Sequence, residues 1–280
     1  MSNYYGGWPP GHYYSPIVDP HDPHAMRAGH GRLSAPPPMG IDLNLSDMQE
    51  LLRRLAVHHR LWDFPQYAHQ SHRYYWDNPF FGCHDASIYF GMLLKSRPRR
   101  VVEIGTGFSS GLLLDVRERF LDGDVYLTFI DPSFERFRGL ADVSALSAVR
   151  LLECQVQDTP FDVFRQLEAG DILFIDSSHV LKTGSDVNYC LFEVLPRLAP
   201  GVLIHVHDIL YPFEYPESWI VDERRSWNEA YALRAFLQYN SAFEIVYWNN
   251  FVYHKSGDLL RELIPLCMEN EGGSIWLRRR

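Results

Sequence analysis

Two short stretches concentrate ionisable side chains, Asp176-Ser177-Ser178-His179 and His205-Val206-His207-Asp208. Each follows an apolar run, "DILFI" or "GVLI", of the kind that fills a buried strand, so both clusters stand at strand ends. A carboxylate beside an imidazole can hold and move a proton near neutral pH, because an unperturbed His titrates at about 6.5. The chemistry this suits is activation of a hydroxyl. An alcohol is a poor nucleophile until its proton leaves, and a base within hydrogen-bond reach, or a Lewis-acidic metal on the oxygen, helps it react. His179 suits the base, and Asp176 is grouped with it as catalytic. The competing reading is that Asp176 and Asp208 cap loops while the histidines hydrogen-bond internally. Strand alternation adds a condition: His205 and His207 point one way and Asp208 the other, so only a strand that ends by His207 turns both His207 and Asp208 toward one site.

A second constellation is "VVEIGTGFSSG", residues 101–111. Its apolar run ends in Glu103 and breaks into Gly105, Thr106 and Gly107. The glycines permit tight backbone geometry and close approach, while Ser109 and Ser110 can cap the next helix and donate hydrogen bonds. Alone this signal is weak, since "GTGFSSG" also satisfies a loose G-x-G-x-x-x-G used by some nicotinamide-binding folds, and many glycine turns hold nothing. The next apolar run closes on "FIDP", which places Asp131 where a carboxylate can accept both hydroxyls of an adenosine ribose, as in NAD or S-adenosylmethionine. A third leads to "CQVQD", where Asp158 can accept the adenine amine and Val156 or Gln157 can line the base.

The elements that must position these residues follow from periodicity. Between residues 100 and 205 strand and helix alternate, with "RVVEIG", "VYLTFID", "VRLLECQ", "DILFID" and "GVLIHVHD" as the strands. Val187, Leu191, Val194 and Leu195 mark a helix that ends at "APG". Two further strands, in "FEIVYWNNFVYH" and "GSIWLRRR", are expected to pair antiparallel at the sheet edge. The predicted fold is α/β: a doubly wound, Rossmann-like seven-stranded sheet, mostly parallel, with a C-terminal antiparallel strand pair. In such a sheet ligands sit outside the carboxyl ends of the strands, where the residues above fall.

Three regions divide the chain. Residues 1–40 are dense in Pro, Gly, His and Tyr without periodicity and read as a flexible tail, whose His12, His21, His24 and His30 are given no role. Residues 41–99 read as a helical cap and substrate-side loop. There Ser46 and Gln49 make a capping box for a helix to about His59, and a second helix runs from Asp85 to Ser96 before Pro98. The aromatic loop between them, "YYWDNPFFGCHD", either plugs the core or lines a pocket mouth. Residues 100–280 form the ligand-binding domain, with a lid-like insertion at 211–240 that contains a helix near Asn228 to Tyr239.

The order "VVEIGTGFSS", "FIDP", "VQD", "FIDSSH" and a terminal antiparallel pair resembles the class I S-adenosylmethionine-dependent methyltransferases over about residues 80–280. The resemblance implies S-adenosylmethionine as cofactor, with Glu103 near its methionine end and Asp131 on its ribose. Gly105, Thr106, Gly107, Ser109, Ser110, Gln157, Asp158 and Asp176 complete the expected cofactor set. A short-chain nicotinamide oxidoreductase would need Tyr-x-x-x-Lys, and none of Lys95, Lys182 and Lys255 has Tyr four residues before it. Within the family, Asp-x-x-His after the fourth strand and an acid pair after the fifth resemble the metal-dependent O-methyltransferases of macrolide sugars and related natural products. That likeness implies Asp176 and Asp208 as ligands of a divalent ion and His179 as the base. His207 stands where Glu is expected in the metal set, which weakens a Mg²⁺ site, shifts preference toward a softer metal, or removes the metal.

With 280 residues, 46% of them apolar, the chain can bury a large core. A formal charge of −9 argues against nucleic-acid and anionic-membrane partners and leaves a small molecule as the expected acceptor. Cys83, Cys154, Cys190 and Cys267 form no CxxC pair and read as reduced thiols, and no apolar run reaches membrane length, so a soluble, cytoplasmic protein is expected. The expected function is methyl transfer to a hydroxyl of a sugar or other small metabolite. The alternatives are a non-catalytic nucleotide-binding module and a nicotinamide-dependent oxidoreductase. Acceptor choice is assigned to residues 60–84 and 211–227, whose aromatics can stack on a ligand or simply pack.

Overall fold

The computed structural model describes residues 7–142 and 147–280. Five short runs rich in Val, Ile, Leu and Phe pair in parallel: β1 (Arg100–Ile104), β2 (Tyr126–Ile130), β3 (Val149–Leu152), β4 (Ile172–Ile175) and β5 (Leu203–Val206). All four residues of β4 are buried, as expected of a central strand with helices on either side. Two more strands, β6 (Phe243–Trp248) and β7 (Ile275–Arg279), complete a sheet of order β3-β2-β1-β4-β5-β7-β6, in which β7 runs antiparallel to both neighbours. The seven-stranded Rossmann-like sheet with its antiparallel pair is therefore the fold. Chain order reverses between β1 and β4, and that switch point is where a ligand crevice opens.

Helices cover the faces. In chain order they are α1 (Pro23–His30), α2 (Leu45–His59), α3 (Cys83–Ser96), α4 (Phe108–Phe120), α5 (Glu135–Leu140), α6 (Asp162–Arg165), α7 (Asp186–Tyr189), α8 (Glu217–Val221), α9 (Glu229–Leu237), α10 (Asn249–Lys255) and α11 (Gly257–Leu263). The helical run begun by α7 widens to a π turn over Cys190–Val194 and tightens to a 3-10 turn over Leu195–Arg197. Among the described residues no helix is long and apolar enough to cross a membrane.

Three local expectations change. The Ser46–Gln49 capping box does not form: Ser46 Oγ donates to Asn44 Oδ1 at 3.0 Å, and Gln49 Nε2 is drawn to Ser256 Oγ at 2.9 Å. The second half of "FEIVYWNNFVYH" turns into α10 after Trp248, and Asn249 donates to the buried Asp85 carboxylate at 3.0 Å. Residues 1–40 are not devoid of structure either. Pro23 opens α1, the Asp22 carboxylate caps it by accepting from His24 N at 2.7 Å, and a 3-10 turn follows at Arg32–Ser34. Residues 1–6 of that stretch lie outside the described residues.

Candidate active site

The turn after β1 is shaped by what it touches. Gly105 has φ +81°, and a Cβ there would lie 1.7 Å from the Asp176 carbonyl oxygen, so only glycine lets the ends of β1 and β4 meet. Gly107 N donates to Ser110 Oγ at 3.1 Å, while Ser109 and Ser110 donate their hydroxyls to Glu103 Oε1 at 2.6 and 2.8 Å. Glu103 is fully buried and its Oε2 has no partner. Burial pushes its carboxyl up to about 8, against the downward pull of the two serines. Thr106 donates both N–H and Oγ1–H to Asp131 Oδ2 at 2.8 Å, and Ser133 N donates to Oδ1 at 2.9 Å.

Above this turn lies a cleft of about 430 Å³, walled by the ends of β1, β2 and β4 and by the loop after β3. Of the residues assigned to the cofactor, Gly105, Asp131, Gln157 and Asp176 line it. Glu103, Thr106, Gly107, Ser109 and Ser110 are not on its wall and build the turn beneath. Asp158 is exposed and off the wall as well, because the 3-10 turn Val156–Asp158 turns Val156 and Gln157 toward the cleft instead. Gln157 donates its Nε2 to Gly184 O at 2.6 Å and leaves Oε1 buried without a partner, as is Ser177 Oγ on the same wall. Unpaired polar atoms on residues that line a cavity of this size are groups a polar ligand can satisfy.

The acid and imidazole cluster forms one step away. Strand β5 ends at Val206, and Asp208 adopts φ +56°, so His207 and Asp208 both reach the site as the alternation condition requires. His179, at φ +60°, is buried; its Nδ1 lies 2.9 Å from Glu229 Oε2, and its Nε2 lies 3.4 Å from Asp176 Oδ1 and 3.7 Å from Asp208 Oδ2. The Trp227 ring packs on it at 4.2 Å. Burial alone would lower the imidazole's proton affinity, but Asp176, Glu229 and Asp208 together raise it well above the ordinary value. The three carboxylates around His179 thus favour its protonated form, and a base at this position would have to give that proton up before taking one from an acceptor. Asp176 is held at about 2, because His207 and His179 outweigh the upward effect of burial. Asp208 moves the other way, raised by burial against the pull of the same two imidazoles.

His207 places Nε2 3.7 Å from Asp208 Oδ1 and Nδ1 3.4 Å from Ser274 Oγ. Among the described residues, no three His, Cys, Asp or Glu side chains converge in a way that would hold a metal ion. The expected set of Asp176, His207 and Asp208 is thus not gathered into a three-ligand site, and the group that stands between the two carboxylates is the His179 imidazole. His205 belongs to the core, stacked on Phe174 at 3.8 Å and kept neutral by burial.

Beyond Asp208 a second cavity, of about 280 Å³, is lined by His207, Asp208, Asp85 and Glu271, with Asn78, Asn270, Phe80 and Trp219 among its other walls. Among the described residues no Lys or Arg lines it. The aromatic loop does both things open to it: Tyr74 and Phe81 are buried in the core, while Pro79 and Phe80 face this cavity. Glu229, Asp85 and Glu271 carry no local sequence signal, being acids at helix starts or in a loop whose partners lie far along the chain. A larger cavity, about 570 Å³ between α2, β6 and α9, contains none of these residues and lies away from the chemistry.

Comparison with known proteins bears on this arrangement. An uncharacterized protein of Archaeoglobus fulgidus is 30% identical over 164 residues, 58% of this chain and 74% of its own length. Among solved structures, CmcI with S-adenosylhomocysteine is 14% identical, covering 80% of this chain and 90% of that one at TM-score 0.42. The S-adenosylhomocysteine-bound Podospora anserina methyltransferase PaMTH1 is also 14% identical, covering 86% and 89% at TM-score 0.39. A methyltransferase-domain family matches residues 102–209, from within β1 to just past β5. Those are the strands whose ends build both the cleft and the acid cluster, and the chain belongs to the class I S-adenosylmethionine-dependent methyltransferases.

Proposed function

We propose that this methyltransferase methylates a hydroxyl of an uncharged or cationic small molecule, such as a sugar or similar polyhydroxylated metabolite, bound in the cavity beside Asp208. The observation that carries the reading is the placement of Asp176 and Asp208: one lines the 430 Å³ cleft, the other the 280 Å³ cavity, and His179 joins them. S-adenosylmethionine, when bound, supplies a methyl group made electrophilic by its sulfonium. Asp131 has lone pairs left for ribose hydroxyls, and Gln157 Oε1 and Ser177 Oγ have hydrogen bonds still to make.

On the acceptor side Asp208 takes the hydroxyl proton. It stands on the cavity wall, and burial raises its affinity for a proton. His179, anchored by Glu229, faces both carboxylates, which raise its affinity for a proton, and in its protonated form it stabilises their charge until then. Much of the remaining rate comes from holding the acceptor oxygen in line, which the rigid ends of β4 and β5 provide. Asp85, Asp208 and Glu271, with no Lys or Arg on the wall beside them, disfavour an anionic acceptor, and Phe80 and Trp219, each stacked under a guanidinium, give the cavity aromatic walls. The four cysteines are unpaired, which supports a reducing compartment, and we place the protein in the cytoplasm.

Calorimetric titration with S-adenosylhomocysteine tests the cofactor, with NADH as control. Micromolar binding of the former, silence of the latter and a loss of at least about tenfold in Asp131→Ala are expected. Binding of NADH alone would overturn the assignment. A panel of neutral, cationic and anionic hydroxylated acceptors then tests the acceptor class; turnover confined to anions would refute it.

A further inference from the structure

The segment before α2 grips the domain at a point that the proposed chemistry leaves unused. Arg32 is only 8% exposed, and its guanidinium donates to Tyr211 O at 2.7 Å, Asn250 Oδ1 at 3.0 Å and Glu271 Oε2 at 3.0 Å. Burying a guanidinium is unfavourable unless its donors are met, so this contact is specific rather than incidental. Asn250 ties the same groups together, accepting from Tyr211 N at 3.1 Å and donating to Glu271 Oε2 at 3.1 Å. Glu271 is itself on the wall of the 280 Å³ cavity. Tyr211 opens the insertion that carries Pro216 and Trp219 to the opposite wall.

Helix α1 adds a second hold on the same insertion. Gly29 lies so close to α8 that a Cβ there would sit 2.8 Å from both Cα and N of Glu217. His30 Nδ1 is 3.0 Å from Glu217 Oε2, two residues before Trp219. Both sides of the acceptor cavity are thus fastened to one stretch of twelve residues, Pro23–Ser34, by bonds that involve no residue of the cofactor cleft.

We propose that Pro23–Ser34 is a strap that sets the shape of the acceptor cavity, with Arg32 as its positioning residue. The strap governs how tightly acceptor is held and leaves cofactor binding alone. This rests on the reading of that cavity as the acceptor site, but its mechanical part, the coupling of the strap to residues 211–221 and 268–274, can be tested without it.

The experiment compares full-length wild type with Arg32→Ala, Arg32→Lys and Gly29→Leu. Hydrogen exchange of peptides covering 211–221 and 268–274 is read alongside titration with S-adenosylhomocysteine and, once the panel yields an acceptor, KM and kcat. In Arg32→Ala, exchange in both peptides is expected to quicken about tenfold, with S-adenosylhomocysteine affinity within about twofold and acceptor KM raised about tenfold at little-changed kcat. Arg32→Lys should recover part of the loss, and Gly29→Leu should loosen 211–221 first. Unchanged exchange in both peptides in Arg32→Ala and Gly29→Leu would overturn the strap, as would uniform loosening that extends through β1–β4. If the wild type fails to bind S-adenosylhomocysteine, the cofactor reading falls while the exchange result still decides the coupling.

Discussion

At Glu103 a carboxyl group sits fully buried beneath a glycine turn, with one oxygen held by two serines and the other bare. Because its folded value, about 8, lies above the ordinary 4.5, the folded protein holds a proton there that the unfolded chain gives up. Its contribution to stability is complete below about pH 4.5, falls as pH rises, and is lost above about pH 8. Glu103→Gln mimics the protonated form, so thermal melts should show the variant gaining on wild type between about pH 4.5 and pH 8 and holding that gain above it; a constant difference across this range would mean the carboxyl is ionised throughout. At Asp208 the expectation concerns rate: Asp208→Asn should lower kcat by roughly 10²-fold or more while S-adenosylhomocysteine still binds, and near-normal turnover would move the proton acceptor elsewhere. Asp131, Asp176, His179, His207 and Asp208 were legible because each follows a buried apolar run. The carboxylate behind His179 was not, because Glu229 lies 50 residues on and is unmarked by any motif.

At the level of elements the tightest joint is that between β1 and β4. Gly105→Ala would force an L-residue to φ +81° and drive a methyl into the Asp176 carbonyl, so a loss on the order of 2 kcal/mol or more is expected in denaturant titration, together with weaker cofactor binding. A variant of wild-type stability would show that the strand ends have room to part. The strands themselves were readable because two-sided burial leaves continuous apolar runs. Where one reading failed, packing had decided: "NNFVYH" is apolar enough for a strand, yet Asn249 bends away to reach Asp85. The capping box failed because the helix begins one residue before Ser46, at Leu45 with Asn44 at its N-cap, which leaves Gln49 to bond Ser256, 207 residues later. Helix α1 escaped notice because eight residues with few apolar positions carry no usable period.

For the whole molecule, the seven-stranded, mostly parallel sheet with its antiparallel pair was legible from the alternation of runs, and so was the side of the sheet on which ligands would lie. What the pattern could not carry is that two cavities meet there through Asp176, His179 and Asp208, or that widely separated parts of the chain close the second one. Asp85 from α3, Trp219 from the insertion and Glu271 ahead of β7 share that wall, and Arg32 fastens it.

This distribution along the chain sets an order of events during synthesis. The walls of the cofactor cleft lie between Ile104 and Asp186, so a nascent chain that has emerged to the end of α7 already holds that cleft's residues. The acceptor cavity must wait for Glu271 and Gly273, nearly ninety residues later. Arg32 precedes Glu271 by 239 residues and waits for that partner until the last wall of the cavity is made. Translation thus delivers a half-built enzyme whose acceptor side is completed last.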